Sequence, residues 1–140
     1  MRALVETGFL LALNPDDSHH KRAMDVLKKA KKGEIKLYIS SPSLIELSLL
    51  LRSKGLDEDI ISTAFLSIED AIKMYTKVQY ACLRAEHLAL SAELRKKYRE
   101  LTFFDSLHAS IAIIDRLEYL DLDPVIREVV EKEKLGEVGF

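Results

Sequence analysis

Four acidic residues stand where a carboxylate could take part in chemistry. Glu6 follows the apolar run 2–5, and Asp105 lies three residues after Thr102. Asp123 directly precedes a proline, and Glu46 lies among leucine and isoleucine. Three of the acids have ordinary explanations, as a strand-end residue, a capping-box acid and a helix N-cap. Glu46 is harder to explain, because burying a carboxylate without a cation or a hydrogen-bonding partner is costly.

Strands and helices alternate in the pattern that would position these acids. The short apolar runs predict strands over residues 2–5, 36–39, 71–75 and 117–120, with a possible fifth in the tail. Helical spacing and capping signals predict helices over residues 9–13, 19–32, 56–69, 77–99 and 125–134, and another starting at Pro42. This order predicts one α/β domain over residues 1–140, a three-layer α/β/α sandwich with a mostly parallel sheet of four or five strands.

The segment 101–116 is the clearest single helix signal. Its apolar residues recur at spacings of three and four, which places them on one helical stripe. Thr102 and Asp105 have the form of a capping pair, which puts a carboxylate in the first turn. Ser41 is a candidate N-cap for the helix that starts at Pro42, and Asp123 is one for the last helix.

The four acids are expected at one edge of the predicted sheet. In an open parallel sheet the loops at the carboxyl ends of the strands form the site. Carboxylates gathered there repel one another, so at least one would take up a proton near neutral pH unless a cation joined them. Mg²⁺ and Mn²⁺ accept oxygen ligands and retain waters, which suits hydrolysis of a phosphodiester bond.

Composition narrows the class of protein. The chain is 48% hydrophobic and 31% charged, which is typical of a globular domain. No stretch approaches the roughly 20 apolar residues of a membrane span. The single cysteine, Cys82, cannot form an intrachain disulfide, and its apolar neighbours predict an inert core position. These features predict a cytoplasmic location.

The formal net charge of −2 does not indicate a partner, so local charge is more informative. Two basic runs, 28–32 and 95–99, end predicted helices. Their cations either complement the carboxyl end of the helix dipole or contact phosphate groups. Both interpretations stay open at the level of sequence.

Four motifs in order give the chain its resemblance to a known family. The segments ALVETGFLLAL, SPSLIELSLLL, LTFFDSLHASIAI and LEYLDLDPVI follow one another over nearly the whole chain. In this order they resemble a PIN domain, in particular the small prokaryotic, VapC-like type of toxin–antitoxin ribonuclease. The resemblance implies metal-dependent cleavage of RNA with Mg²⁺ or Mn²⁺, commonly by a homodimer, and a small inhibitory antitoxin as partner.

The resemblance also implies roles for individual residues. Glu46, Asp105 and Asp123 match acids of the family, and they would bind metal and support catalysis. Thr7 matches a hydroxyl residue that would hydrogen-bond a ligand or water. Glu6 would complete the metal site and help to orient the attacking water.

The match to the family pattern is incomplete at one position and ambiguous at another. The family ordinarily has aspartate at the position of Glu6, and glutamate moves the carboxylate about 1 Å further into the pocket, which favours Mn²⁺, weakens Mg²⁺ or abolishes catalysis. Asp121 is an alternative to Asp123 as the fourth acid, although Pro124 favours Asp123.

The sequence also bears on two other classes of function. A catalytically weakened PIN-like module that binds RNA or a protein is the alternative that Glu6 motivates. A phosphate-accepting receiver domain would need paired acids at the first strand and a lysine late in the sheet, and neither is evident in the sequence. The histidines lack zinc-ligand spacing, and His108, three residues after Asp105, is expected to pack or to hydrogen-bond near the pocket.

Overall fold

The computed structural model describes residues 1–138, with side chains for residues 1–134. The described strands are β1 (Arg2–Val5), β2 (Lys36–Ser40), β3 (Tyr80–Ala81) and β4 (Glu118–Tyr119). The described helices are α1 (Thr7–Ala12), α2 (His20–Lys31), α3 (Pro42–Ser53), α4 (Glu58–Lys73), α5 (Ala85–Lys97), α6 (Phe103–Ile114) and α7 (Pro124–Val138). Within these residues, no helix is long and apolar enough to cross a membrane.

All four described strands are parallel, in the spatial order β3-β2-β1-β4. The chain moves from β1 outward through β2 to β3 and then returns to pair β4 with the other side of β1. Strand order therefore reverses at β1. In an open parallel sheet this point opens a crevice at the carboxyl ends of the strands.

Alternation along the strands divides the core into two layers. Ala3 and Val5 of β1 pack with one group of helices through Phe9, Leu27 and other buried residues. Leu4 lies in the opposite layer, with Ala109 and Ile111 of α6 and Val129 of α7 among its buried residues. Successive strand residues point to opposite faces. The three-layer α/β/α sandwich predicted from sequence is confirmed.

Two predicted elements in the middle of the chain are wrong. Residues 71–75 do not form a strand, because α4 continues to Lys73 and buries Ile72 in the core. Ile61, Phe65, Ile68 and Ile72 recur at helical spacing, and this pattern prevails over the short apolar run. The predicted helix 77–99 begins only at Ala85, because its first part contains β3.

Smaller corrections concern single residues. Cys82 is exposed in the loop after β3, because the chain there is not helical and the cysteine is not packed in the core. Ser41 does not cap α3, since its backbone is helical and its Oγ accepts a hydrogen bond from the Leu83 N–H instead. α7 occupies the tail as far as Val138, where a fifth strand was considered. Residues 139–140 lie outside the described residues.

Candidate metal centre

Glu6 occupies the turn between β1 and α1. Its backbone is extended, and it serves as the N-cap of α1, with Oε2 accepting the Thr7 N–H at 2.8 Å and Oε1 accepting the Gly8 N–H at 3.3 Å. Only 7% of the residue is exposed. The amino end of a helix favours a negative charge. The local fold therefore fixes this carboxylate at the carboxyl end of the central strand.

Glu46 reaches the same place from α3. It lies about one turn inside the helix and is half-buried. Its Oε1 accepts a hydrogen bond from the Thr7 hydroxyl and lies 2.9 Å from Nε2 of His108. Two neighbours thus hold one oxygen of Glu46, and the second oxygen stays available to another ligand.

His108 joins the two glutamates. The residue is fully buried on α6, and its Nδ1 lies 2.7 Å from Oγ of Ser40 at the end of β2. If the Ser40 hydroxyl donates to Nδ1, Nε2 carries the hydrogen and donates it to Glu46. Nε2 is also 3.4 Å from Oε2 of Glu6. One ligand atom from each of the three side chains lies within 4.8 Å of the others.

Asp121 lies directly beneath this group and supports the turn. Its Oδ2 accepts the backbone N–H groups of Glu6 at 3.0 Å and Phe9 at 2.9 Å, while Oδ1 accepts that of Leu122 at 2.8 Å. A Cβ at position 8 would lie 2.6 Å from Oδ1, so glycine is needed there. The backbone uses both oxygens of Asp121, which therefore ties β4 to the β1–α1 turn.

Asp105 and Asp123 cap helices at the same edge. Asp105 accepts the Thr102 N–H at 3.2 Å and forms the predicted capping box of α6. Oδ1 of Asp123 accepts the Val125 and Ile126 N–H groups at the start of α7. Both predicted capping roles are confirmed. In the described part of the chain, neither carboxylate belongs to the group formed by the glutamates and His108.

Tyr119 shows that these acids still share one electrostatic environment. Its hydroxyl donates a hydrogen bond to Oε1 of Glu6 at 3.5 Å. Burial raises the pKa of Tyr119, and the charges of Glu6, Asp121, Asp123 and Asp105 raise it further. Asp105 and Asp123 are therefore near enough to act on a group that contacts Glu6 directly.

Burial and neighbouring carboxylates disfavour the ionised form of Glu6 in the metal-free protein. Burial raises its pKa from 4.5 to about 8, and the charges of Asp121 and Glu46 contribute, against the opposing N–H of Gly8. Burial also acts to raise the pKa of Glu46, but hydrogen bonds from His108 and Thr7 lower it overall. Glu46 is therefore ionised at neutral pH, whereas the raised pKa of Glu6 favours its protonated form there.

This donor set fits a divalent cation. Atoms of two carboxyl groups and an imidazole lie within 4.8 Å of one another, and the charges of Asp105 and Asp123 act on the neighbouring Tyr119. The carboxylate oxygens suit Mg²⁺ and Mn²⁺, whereas both ring nitrogens of His108 are engaged by Ser40 and Glu46, so the imidazole orients Glu46. No lysine or arginine forms an ion pair with either glutamate among the described side chains.

Sequence reasoning identified part of this arrangement. Glu6, Thr7 and Glu46 come together as expected, and the hydrogen-bonding role expected of His108 near the pocket is confirmed, although the sequence did not indicate its position between the two glutamates. Its signal was the spacing of three residues from Asp105, which puts both side chains on one side of α6. Ser40 and Tyr119 carried no distinguishing pattern, because a buried serine or tyrosine at a strand end is common.

Comparisons with known proteins agree with the fold. The PIN domain family model matches residues 3–132. VapC20 of Mycobacterium tuberculosis, described as a sarcin-ricin loop cleaving toxin, aligns with a TM-score of 0.64 and 17% identity over 91% of this chain and 94% of its own. VapBC2 of Rickettsia felis, bound to a DNA fragment from its promoter, aligns with a TM-score of 0.59 and 19% identity over 88% of each chain. Comparison with curated protein sequences gave no match.

Proposed function

Because the chain belongs to the PIN domain family, we propose that it is a divalent-metal-dependent endoribonuclease that hydrolyses RNA phosphodiester bonds. The observation that carries this proposal is the convergence of Glu6, Glu46 and His108 at the carboxyl edge of a parallel sheet. A divalent cation would allow both neighbouring carboxyl groups to ionise, and the crevice at the strand-order reversal is where such sheets bind ligands.

The same proposal includes a toxin–antitoxin pair. The solved structures that resemble this chain include a VapC toxin and a VapBC complex, which supports a small antitoxin protein as partner. A homodimer is also proposed, because α3 and α4 expose the large apolar side chains of Ile45, Leu49, Ile60 and Leu66. Cellular RNA as substrate implies work in the cytoplasm.

Each residue has a proposed role at the metal. Glu6 and the free oxygen of Glu46 would hold Mg²⁺ or Mn²⁺, with Asp105 and Asp123 completing the acidic set. When bound, the cation activates water for in-line attack and stabilises charge on the phosphoryl and leaving oxygens. Thr7 and His108 hold the other oxygen of Glu46, so that this carboxylate meets its ligand in one orientation.

The remaining residues keep the site rigid. The N–H groups of Thr7 and Gly8 orient Glu6, and Asp121 holds the turn that carries them. Glu6 lies at the carboxyl end of the central strand, and it is proposed to orient the attacking water. A carboxylate held by the first turn of a helix moves little, which preserves the geometry that in-line attack requires.

Cleavage of a mixed-sequence RNA tests the proposal. Wild type, Asp105→Asn and Glu6→Asp are compared in Mg²⁺, Mn²⁺ and EDTA. We expect cleavage with a divalent cation, none in EDTA and none from Asp105→Asn. The control is Asp115→Asn, which makes the same chemical change at the far end of α6, where the carboxylate pairs with Arg84.

Two other outcomes are informative. Cleavage by Glu6→Asp alone would mean that the extra methylene of Glu6 has disabled this member of the family. If no variant cleaves RNA and Mn²⁺ does not raise the melting temperature of the wild type, the acidic group is not a metal site. The chain would then be a PIN-like module that binds RNA or a protein.

A further inference from the structure

An exposed aromatic ring stands at the start of α6, the helix that carries Asp105 and His108. Phe103 is the first residue of α6, two residues before Asp105, and 54% of its surface is exposed. The ring of Phe104 meets it edge-on, with centroids 5.6 Å apart and an interplanar angle of 84°. Phe104 thus supports the ring from one side while Phe103 remains open to solvent.

Arg95 of α5 lies over the same ring. Its guanidinium carbon is 5.1 Å from the centroid of Phe103, within the range of a cation–π contact. Nη1 donates hydrogen bonds to Oγ of Ser106 at 2.7 Å and to Oγ of Ser91 at 3.2 Å. Ser106 in turn donates to the carbonyl of Phe103 at 2.6 Å. This chain of contacts locks the guanidinium to the turn that presents the ring.

The charge of Arg95 has no anionic partner in the described part of the chain. Its hydrogen bonds go to two neutral hydroxyls, whereas Lys97 on the same helix pairs with Glu133 at 2.7 Å. Lys96 and Arg99 are exposed nearby, and the segment 91–100 carries four cations against two acids. The ring therefore sits in a locally positive surface, in the first turn of the helix that also carries Asp105.

This combination suits an unpaired nucleotide. Proteins recognise single-stranded RNA by stacking bases on aromatic rings and arginine planes while cations follow the phosphates. Bases paired within a duplex are stacked on their neighbours and do not offer a free face. Building on the ribonuclease proposed above, we propose that Phe103 and Arg95 form a subsite that stacks an unpaired base of the RNA strand beside the acidic pocket. The substrate is accordingly single-stranded at this position.

A binding experiment without metal tests the subsite separately from catalysis. Fluorescent oligo(A) and an abasic ribose-phosphate oligomer of equal length are titrated with protein in EDTA at low ionic strength, and anisotropy gives Kd. The abasic oligomer has the same phosphates but no bases. We expect wild type to bind oligo(A) tighter by about tenfold, the scale of one base stacked on an aromatic residue.

The variants separate stacking from charge. Phe103→Leu keeps an apolar side chain but removes the aromatic plane, so it should bind both oligomers with equal affinity. Phe103→Tyr keeps the plane and should retain the preference for oligo(A). Arg95→Gln should reduce that preference, whereas Arg99→Gln, with the same loss of charge, should weaken both oligomers alike.

Three results would overturn the subsite. They are equal affinity of wild type for both oligomers, no measurable binding of either, and a preference for oligo(A) that survives in Phe103→Leu. If Phe103→Leu instead converts a dimer to a monomer with the preference intact, the ring is a contact between copies. If the wild type shows the binding preference but no metal-dependent cleavage, the ribonuclease proposal is rejected and the proposal of a base-binding subsite is retained.

Discussion

Two buried histidines contact carboxylates at different places along α6, one at the acidic edge and one just past the last residue of the helix. His108, in the middle of α6, lies 2.9 Å from Glu46, while His87 of α5 lies 3.0 Å from Asp115. Both histidines are fully buried. Nδ1 of His87 accepts the Arg84 N–H, which identifies Nε2–H as the donor to Asp115. The local chemistry of the two pairs is therefore alike.

The surroundings of the two pairs differ in charge balance. At the far end, Nη2 of Arg84 lies 2.9 Å from the same oxygen of Asp115 that His87 contacts. At the acidic edge, Glu6 and Glu46 share His108, and no described lysine or arginine pairs with either. The pair with a cation of its own is complete and serves to hold α5 on α6. The pair without one has no such cation among the described side chains, and in the proposed ribonuclease the divalent metal would supply that charge.

The largest expected difference between the two ends is in cleavage. Glu46→Gln should lower the rate of RNA cleavage by at least about 100-fold, because losing a group that merely orients a metal ligand already costs about 10- to 100-fold. Asp115→Asn should leave cleavage near wild type and lower the free energy of unfolding by about 1–3 kcal/mol, since it weakens a part-buried network. Cleavage rates and urea denaturation of both variants check this. Equal loss of cleavage in both would show that the two ends are not functionally distinct.

Metal binding should stabilise the folded protein through the acidic edge and not through the Asp115 pair. At a Mn²⁺ concentration about 100 times its Kd, the free energy of unfolding should rise by about 2.7 kcal/mol. Asp115→Asn should keep this increment, and Glu46→Gln should lose most of it. Urea denaturation with Mn²⁺ and with EDTA measures the increment. An increment of the same size in Glu46→Gln would place the cation elsewhere.

The histidines themselves provide the next test. His108→Gln should weaken Mn²⁺ binding by about 10- to 100-fold, because Glu46 loses the group that orients it. His87→Gln should leave the Mn²⁺ affinity unchanged while lowering stability by about 1–3 kcal/mol. Calorimetric titration of Mn²⁺ into each variant gives the affinities. Unchanged affinity in His108→Gln would mean that Thr7 alone is enough to hold Glu46.

The difference between the ends also explains what sequence could predict. Helical period, capping pairs and the order of elements predicted the parallel α/β sandwich and the position of Glu6 and Glu46 at one edge. The errors fell where local signals conflict. Residues 71–75 are apolar enough for a strand but also complete the buried stripe of α4. β3 has two residues, too few to show alternation.

The shared role of His108 depended on tertiary contacts that spacing does not encode. Its partners Ser40 and Glu46 are 68 and 62 residues away in sequence. The same limit applies at the far end, where His87 meets Asp115 across 28 residues. Nothing in the sequence around either histidine distinguishes the balanced pair from the unbalanced one. Only the placement of Arg84 beside Asp115 does so.

The last expected difference is a pH dependence of stability that belongs to Glu6. Its pKa is raised from 4.5 to about 8 in the folded protein, so its neutral form favours folding. The stability that this provides is complete below about pH 4.5 and is lost as the pH rises through about 8. Between these values the free energy of unfolding should fall by at most about 1.4 kcal/mol per pH unit through this group.

Glu6→Gln should remove that slope from metal-free protein, whereas Asp115→Asn should retain it. Saturating Mn²⁺ should also remove the slope in wild type, because the cation holds Glu6 ionised in place of the proton. Urea denaturation across this pH range, with EDTA and with Mn²⁺, gives the slopes. The same slope in Glu6→Gln and wild type would mean that the charge imbalance at the acidic edge resides on another carboxylate. The carboxylate to compare with Asp115, which pairs with Arg84, would then be that residue and not Glu6.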